Sequence, residues 1–298
     1  MPSRLLPTRP VLKSLLLLLG LSLVLGACSR IGLAYRNLDT LVPWWLGGYL
    51  DLDPTQQQWL DQRLAEHLSW HCSTELPRYI DWLARTEQLI RNGQTSTAVV
   101  SDRLDELRVA QQRVAEQITP SVIDLLQGLQ PRQVAELQAR LEEKQQELQD
   151  KYLAPSLPEQ IDERAERLEK RLQPWFGNLN PTQQARVKAW SIQLGPQNSL
   201  WLEDRARTQE ALLAALEQPQ AATFEPRLKR LLQEPEALQQ AQYRQAFARS
   251  RQALGELLAD LLASAEPAQR RQLLKRLDEV RSDFANVRCD TPTAVAAS

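Results

Sequence analysis

Two histidines four residues apart, His67 and His71, are the most chemically suggestive pair in the chain. On a helix this spacing places both imidazoles on one face, where they can bind zinc or copper. No third ligand is evident, and Leu68 stands where the glutamate of a His-Glu-x-x-His metalloprotease would be. We therefore expect a solvated or packed histidine pair, no metal and no other cofactor. His67 and His71 are the candidate ligands if a metal does bind.

The rest of the sequence has no pattern typical of an active site. It has no glycine-rich phosphate loop, no Gly-x-Ser-x-Gly element and no readable catalytic triad. Acidic residues alternate with Arg and Lys at helical spacings, as they do on solvated helix faces. We expect that the protein is not an enzyme. The 36 basic residues against 37 acidic ones argue against a nucleic-acid partner, because such proteins usually carry a basic surplus.

The first 28 residues have the pattern of an export signal. Three basic residues precede an apolar run, residues 14–25, that is too short to cross a bilayer as a helix. The run ends in Leu-Gly-Ala-Cys, with Cys28 last, and this element resembles the lipobox of bacterial lipoproteins. The resemblance implies cleavage before Cys28, a diacylglyceryl thioether on its sulfur and acylation of the new amino terminus. An ordinary signal peptide with a chance cysteine is the alternative.

The residues after the cysteine bear on location. Ser29 stands where an aspartate commonly retains lipoproteins at the inner membrane. We therefore expect attachment to the periplasmic face of the outer membrane through several acyl chains, which anchor stably where a single chain holds only marginally. Trp44 and Trp45 follow in the lead-in from the anchor. Their rings favour either the lipid headgroup layer or packing under the first helix.

Two of the three cysteines remain once Cys28 is assigned to lipid. An even number of cysteines in an oxidising compartment favours a disulfide, here Cys72–Cys289. Such a bridge ties the end of the last helix to the start of the second and holds the two halves of the chain together. Two independent free thiols are the alternative.

From Pro54 onward, apolar residues recur at helical spacing in stretches rich in strong helix formers, and no alternating strand pattern is present. The sequence therefore predicts an all-α protein. We expect Pro120 to bend or break the third helix, and one helix over Pro235–Ser264. Residues 291–298 are small and polar enough to be disordered.

Four of the predicted helices begin with one pattern, in which a proline is followed two positions later by a glutamine. In this pattern Asp53 or Asn180 can cap its helix, with proline at the first helical position. The glutamine then falls at the third position, where it can reach back to the N–H of the cap residue. The candidate residues are Leu52, Asp53, Pro54 and Gln56; Leu129, Pro131 and Gln133; Leu179, Asn180, Pro181 and Gln183; and Pro267 and Gln269.

The four motifs alternate between two kinds, which indicates an internal duplication. The first and third share Leu-x-Pro-Thr-Gln-Gln, and the second and fourth agree over the helix that follows. The alternative is that proline-capped, glutamine-rich helices converge by composition. We expect an extended helical bundle of two duplicated halves. The predicted parts are a signal peptide (1–27), a lipid anchor and lead-in (28–51), a first helical module (52–175), a second helical module (176–290) and a disordered tail (291–298).

The repeated Leu-x-Pro-x-Gln elements resemble the Leu-Thr-x-x-Gln motif of the Spy/CpxP-type periplasmic chaperones, with proline in place of threonine. Those are small all-helical proteins in which the motif also occurs twice. The chain as a whole resembles a family of uncharacterised proteobacterial lipoproteins, a domain of unknown function. That resemblance rests on the lipobox, the lead-in from Leu33-Ala34-Tyr35 to Trp44-Trp45 and the helix from Leu52. It implies the location and the helical fold, and no activity.

We therefore expect an outer-membrane-anchored periplasmic lipoprotein that contacts the membrane through its N-terminal lipid and binds other envelope proteins in a chaperone-like role. A structural or assembly partner of one specific envelope complex is the alternative. Exposed apolar surface on a concave face would favour the chaperone-like role. A single compact patch with a rigid aromatic or arginine anchor would favour the dedicated partner.

Overall fold

The computed structural model describes Gly32 and residues 35–289, and the prediction of an all-α fold is confirmed, because these residues contain no strand. The predicted signal peptide, Cys28 and the tail 291–298 lie outside the described residues.

The helices are, in chain order, α1 (Leu38–Gly47), α2 (Pro54–Trp70), α3 (Leu76–Arg91), α4 (Thr97–Gln127), α5 (Pro131–Leu153), α6 (Leu157–Phe176), α7 (Pro181–Leu194), α8 (Gln197–Leu216), α9 (Phe224–Gln233), α10 (Pro235–Leu238), α11 (Ala241–Ala263) and α12 (Pro267–Ala285). Within the described part of the chain, no helix combines the length and the apolar character needed to cross a bilayer.

A π-helical turn, His71–Glu75, joins α2 directly to α3. This turn was not predicted from the sequence. Pro77 lies in the first turn of α3. Because a proline ring clashes with the carbonyl four residues earlier in a regular helix, a wider turn at this point lets the helical chain continue. The turn buries the side chains of Cys72 and Glu75.

Two helices differ from the prediction: no break occurs at Pro120, where a bend or a break was expected, and a break occurs within the helix predicted over Pro235–Ser264. Helix α4 runs unbroken from Thr97 to Gln127, with Pro120 inside it. The neighbouring Thr119 is fully buried, so tertiary packing holds the helix at this point. The prediction of one helix over Pro235–Ser264 is wrong, because Gln239 and Gln240 are extended and separate α10 from α11. None of the α10 residues is buried, so packing does not hold this turn in line with α11.

Two clusters of buried apolar side chains form the core, and each draws on both halves of the chain. The first cluster includes Leu83 of α3, Leu172 of α6, Val187 of α7, Leu257 of α11 and Leu277 of α12. The second includes Ile123 of α4, Leu137 of α5, Leu216 of α8 and Leu228 of α9. Burial of such side chains is the main favourable term in folding, so both halves contribute to both cores. The division into modules 52–175 and 176–290 thus remains a prediction about duplication in the sequence.

The third and fourth repeated motifs meet through their glutamines. Gln183 Nε2 donates to Gln269 Oε1 at 2.9 Å, and Gln269 Nε2 donates to Gln183 Oε1 at 2.9 Å. Each Oε1 also accepts from the N–H of its own helix cap, Asn180 or Glu266. The second hydrogen of each amide goes to a backbone carbonyl of the other motif: Gln183 donates to Ser264 O, and Gln269 donates to Asn178 O. Both amides therefore use all four of their hydrogen-bonding positions.

The first and second motifs meet in the same way. Gln56 Nε2 donates to Gln133 Oε1 at 3.1 Å, and Gln133 Nε2 donates to Gln56 Oε1 at 2.6 Å. Their other hydrogens go to Gly128 O and Asp51 O, which stand two residues before the opposite helix cap, as Ser264 and Asn178 do in the second pair. Each of these hydrogen bonds in the first pair thus has a counterpart in the second pair. The repeated glutamines join the start of α2 to that of α5, and the start of α7 to that of α12.

Removal of one glutamine should destabilise the protein far more than removal of a helix cap. Gln183 is 1% exposed, so Gln183→Ala takes away one donor and one acceptor contact of the buried Gln269 amide and leaves the carbonyl of Ser264 without its side-chain partner. We expect the free energy of unfolding to fall by about 3 kcal/mol in chemical denaturation.

A matched control is Gln252→Ala, which changes an exposed glutamine of α11 and should cost less than about 0.5 kcal/mol. A loss of about 1 kcal/mol or less for Gln183→Ala, the usual cost of removing a helix cap, would contradict a stabilising role for the pair.

Candidate functional site

The structure gives the two predicted histidines different partners. His67 Nε2 lies 2.8 Å from Ser121 Oγ on α4. His71 Nδ1 lies 3.0 Å from the hydroxyl of Tyr35, and its Nε2 lies 3.3 Å from the hydroxyl of Tyr79. Both ring nitrogens of His71 are therefore occupied by tyrosines. Across the described residues, no group of three or more His, Cys, Asp or Glu side chains is placed to hold a metal ion.

The predicted disulfide is confirmed: Cys72 and Cys289 are bonded, with their Cα atoms 5.5 Å apart. Cys72 lies in the π-helical turn and Cys289 follows α12, so the bridge returns the end of the described chain to the α2–α3 junction. The cross-link closes a separation of 217 residues. For so long a loop, the loss of chain entropy in the unfolded state stabilises the fold by up to about 5 kcal/mol.

A buried ion pair also fixes the π-helical turn. The carboxylate of Glu75 is inaccessible to solvent and accepts hydrogen bonds from Arg113 of α4 at 2.7 to 3.1 Å, in a two-pronged arrangement. Arg78 also donates to it. The hydrogen bonds from Arg113 hold the pKa of Glu75 below its usual range. Sequence reasoning missed this pair, because neither residue stands out among the many charged residues on the helices.

A half-open apolar groove of about 630 Å³ lies between α1, α2, α4, α5, α8 and α9. One wall carries Leu60 and Leu64 of α2 and the other carries Leu212 of α8 and Leu231 of α9, among others. Its lining is almost entirely apolar, and Leu126, Leu137, Leu141 and Leu228 of the second core cluster also contribute to it. The volume is in the range of ligand-binding pockets, about 300–1,000 Å³. The groove is therefore the candidate binding site.

Aromatic side chains of α1 lie exposed beside the groove. Trp44 is 77% exposed and Trp45, which lines the groove, is 60% exposed. The Trp45 ring contacts that of Tyr49 at 5.2 Å between centroids. The interpretation that these tryptophans pack under the first helix therefore does not hold for Trp44. Large exposed aromatic rings beside an apolar groove are typical of a binding surface.

The first glutamine pair, Gln56 and Gln133, positions the part of the groove that the starts of α2 and α5 form. Gln133 donates to the carbonyl of Asp51, directly after Leu50, and Leu50 lines the groove. The helices that begin at the pair, α2 and α5, contribute Trp59 and Leu137 to the lining. The repeated motif is thus structural in both halves, and in the first half it also sets where two walls of the groove begin. None of the motif glutamines lines the groove itself.

The fold and the groove define a class, an all-α protein with an apolar cleft between its helices and no strand in the described part of the chain. The chain belongs to a family of unknown function, DUF6279, which matches residues 48–244. No curated protein and no solved structure matches the chain. The expectation of an uncharacterised family is thereby confirmed, whereas the lipobox and the Spy/CpxP-like motif remain resemblances of sequence.

The two histidines make stability depend on pH between about 7.5 and 5.5. Burial lowers the pKa of both His67 and His71 below the ordinary value of 6.5. As the pH falls through 6.5 the histidines of the unfolded chain therefore take up more protons than those of the folded chain, so folding becomes less favourable. We expect the midpoint of urea unfolding to be lower at pH 5.5 than at pH 7.5.

The control is the variant with both His67→Gln and His71→Gln, which removes the only histidines in the chain. Its unfolding midpoint should change much less over the same pH interval. An equal pH dependence in the two proteins would show that other groups carry the effect.

Proposed function

We propose that the protein is an outer-membrane-anchored periplasmic lipoprotein with a chaperone-like role, in which the apolar groove holds apolar segments of other envelope proteins. The observation that carries this proposal is the half-open groove itself, which is about 630 Å³ in volume and has leucines as half of its lining residues. An apolar concavity that the described residues leave open is unfavourable in water unless a partner covers it.

The lipobox-like element at Cys28 supports the anchored location. Helix α1 begins at Leu38, ten residues after Cys28, and carries Trp44 and Trp45. The groove wall formed by α1 is therefore within a short length of chain from the proposed lipid. A protein tethered in this way meets envelope proteins that pass close to the membrane surface. The chaperone-like resemblance of the repeated motifs points to the same class of partner.

A structural or assembly partner of one specific envelope complex is the second candidate. The observation that favours it is the compact aromatic patch on α1, where Leu41, Trp44 and Trp45 are all exposed. A rigid patch of this kind can act as the central contact of a fixed interface. The two candidates differ in breadth: a chaperone-like groove accepts many apolar segments, whereas a dedicated interface accepts one.

The anchor is tested by Cys28→Ser, which removes the sulfur that the lipid would modify. We expect the variant to lose incorporation of labelled palmitate and to remain unprocessed, with its signal peptide attached. Cys289→Ser is the matched control, because it breaks the disulfide and should leave the palmitate label unchanged. Recovery of Cys28→Ser in the outer-membrane fraction at the mature mass would contradict the proposed anchor.

The chaperone-like role is tested by light scattering from an aggregating unfolded protein. Residues 29–298 should slow the aggregation without ATP. The variant carrying Trp45→Asp and Leu64→Asp places two charges in the groove, and about tenfold more of it should be needed for equal protection.

Ile192→Asp is the control for that assay, because Ile192 is exposed on α7 and lies outside the groove. It should protect as well as the unchanged protein. Absence of protection by the unchanged protein at severalfold molar excess would leave the dedicated-partner candidate ahead.

A further inference from the structure

One wall of the groove carries polar groups that have no partner among the described residues. Arg205, Gln209 and Leu212 lie at positions i, i+4 and i+7 of α8 and line the groove together. Arg205 Nε and Gln209 Nε2 are buried and make no hydrogen bond to any of the described residues. Both atoms carry hydrogens, so both are donors without an acceptor. Buried donors in native proteins are nearly always paired, which makes these two candidates for contact with a ligand.

The charged side chains among the described residues that line the groove are all positive. Its lining includes Arg63 and Arg205, and no Asp or Glu is among the described residues that form it. Arg63 is paired with Glu66 on α2 at 2.7 Å. Arg205 forms no ion pair with the described part of the chain, so its charge is available to an occupant. The complement of an unpaired guanidinium beside an amide donor is a carboxylate or another oxyanion.

The shape of the groove distinguishes between apolar occupants. It is open along one side and apolar on the other. A lipid acyl chain in it would leave much of its length in water, because such a chain is apolar all round. An amphipathic helix would bury its apolar stripe against the leucines and keep its polar face in water. The apolar side chains of the helices around the groove form ridges, and a further helix can pack its own side chains between these ridges.

We propose that the groove binds an amphipathic helix of a partner protein, and that an acidic residue at the border of its apolar stripe meets Arg205 and Gln209. The proposal rests on the function proposed above and names the class of segment that the groove accepts. In this arrangement the leucines of α2, α8 and α9 cover the apolar stripe. The carboxylate meets the Arg205 guanidinium and the Gln209 amide, two polar groups whose Nε and Nε2 atoms have no partner among the described residues.

The test uses the full chain, reconstituted in lipid nanodiscs, and three fluorescent peptides of ~18 residues, about five helical turns. The peptides share a leucine stripe and differ at one border position, which is Glu, Gln or Lys. Binding is measured by fluorescence anisotropy, with empty nanodiscs as the background. We expect the Glu peptide to bind about tenfold more tightly than the Gln peptide, and the Lys peptide to bind most weakly.

Two substitutions assign this preference to the groove. Arg205→Gln should weaken the Glu peptide about tenfold and leave the Gln peptide unchanged. Arg205→Glu should reverse the order, so that the Lys peptide binds more tightly than the Glu peptide. Arg249→Gln is the matched control on the exposed surface of α11 and should change none of the three affinities.

The outcomes separate this inference from the function on which it rests. Equal binding of all three peptides, or no effect of Arg205→Gln and Arg205→Glu, overturns the acidic-helix inference and leaves the groove as a site for apolar segments. No binding of any peptide overturns both. Displacement of the Glu peptide by palmitate at equal concentration, with no effect from Arg205→Gln, would assign the groove to acyl chains instead.

Discussion

Two reciprocal pairs of glutamine side chains determine how the helices of this protein meet. In each pair the amides donate to each other and to a backbone carbonyl next to the opposite helix, and each also accepts from its own helix cap. A buried amide is costly unless all its hydrogen bonds are formed, and this geometry forms all four. This is why three of these glutamines, Gln133, Gln183 and Gln269, can be almost fully buried. The pairs also fix the position of the start of α2 relative to that of α5, and of the start of α7 relative to that of α12.

The groove is the part of the surface that these contacts leave open. The glutamine pairs join helix starts, the disulfide returns the chain after α12 to the α2–α3 junction, and the Glu75–Arg113 ion pair fixes that junction against α4. Between these fixed points, α2 and α8 remain apart and expose leucines to solvent. Rigid helices that hold an apolar surface open are suited to binding a segment that supplies the missing apolar contacts.

Much of the local structure can be predicted from the sequence, because helix starts and cysteine counts have local signatures. Pro54, Pro131, Pro181 and Pro267 each begin a helix in the structure, and Cys72 is bonded to Cys289. The sequence also shows that the glutamines repeat, but not that they pair, since each pair joins residues 77 or 86 positions apart. The π-helical turn and the groove depend on how distant helices pack, and no short stretch of sequence encodes that packing. The break at Gln239 likewise reflects the absence of buried contacts from α10.

The most direct test of the binding groove is hydrogen–deuterium exchange of the full chain with and without a saturating amphipathic helical peptide. If the groove is the binding site, exchange should slow in α1, α2, α8 and α9, whose side chains form its walls. Exchange in α6, α7 and α12, which pack in the other core cluster, should stay unchanged. Slowed exchange confined to α6, α7 and α12, or no slowed exchange anywhere at saturation, would contradict binding in the groove.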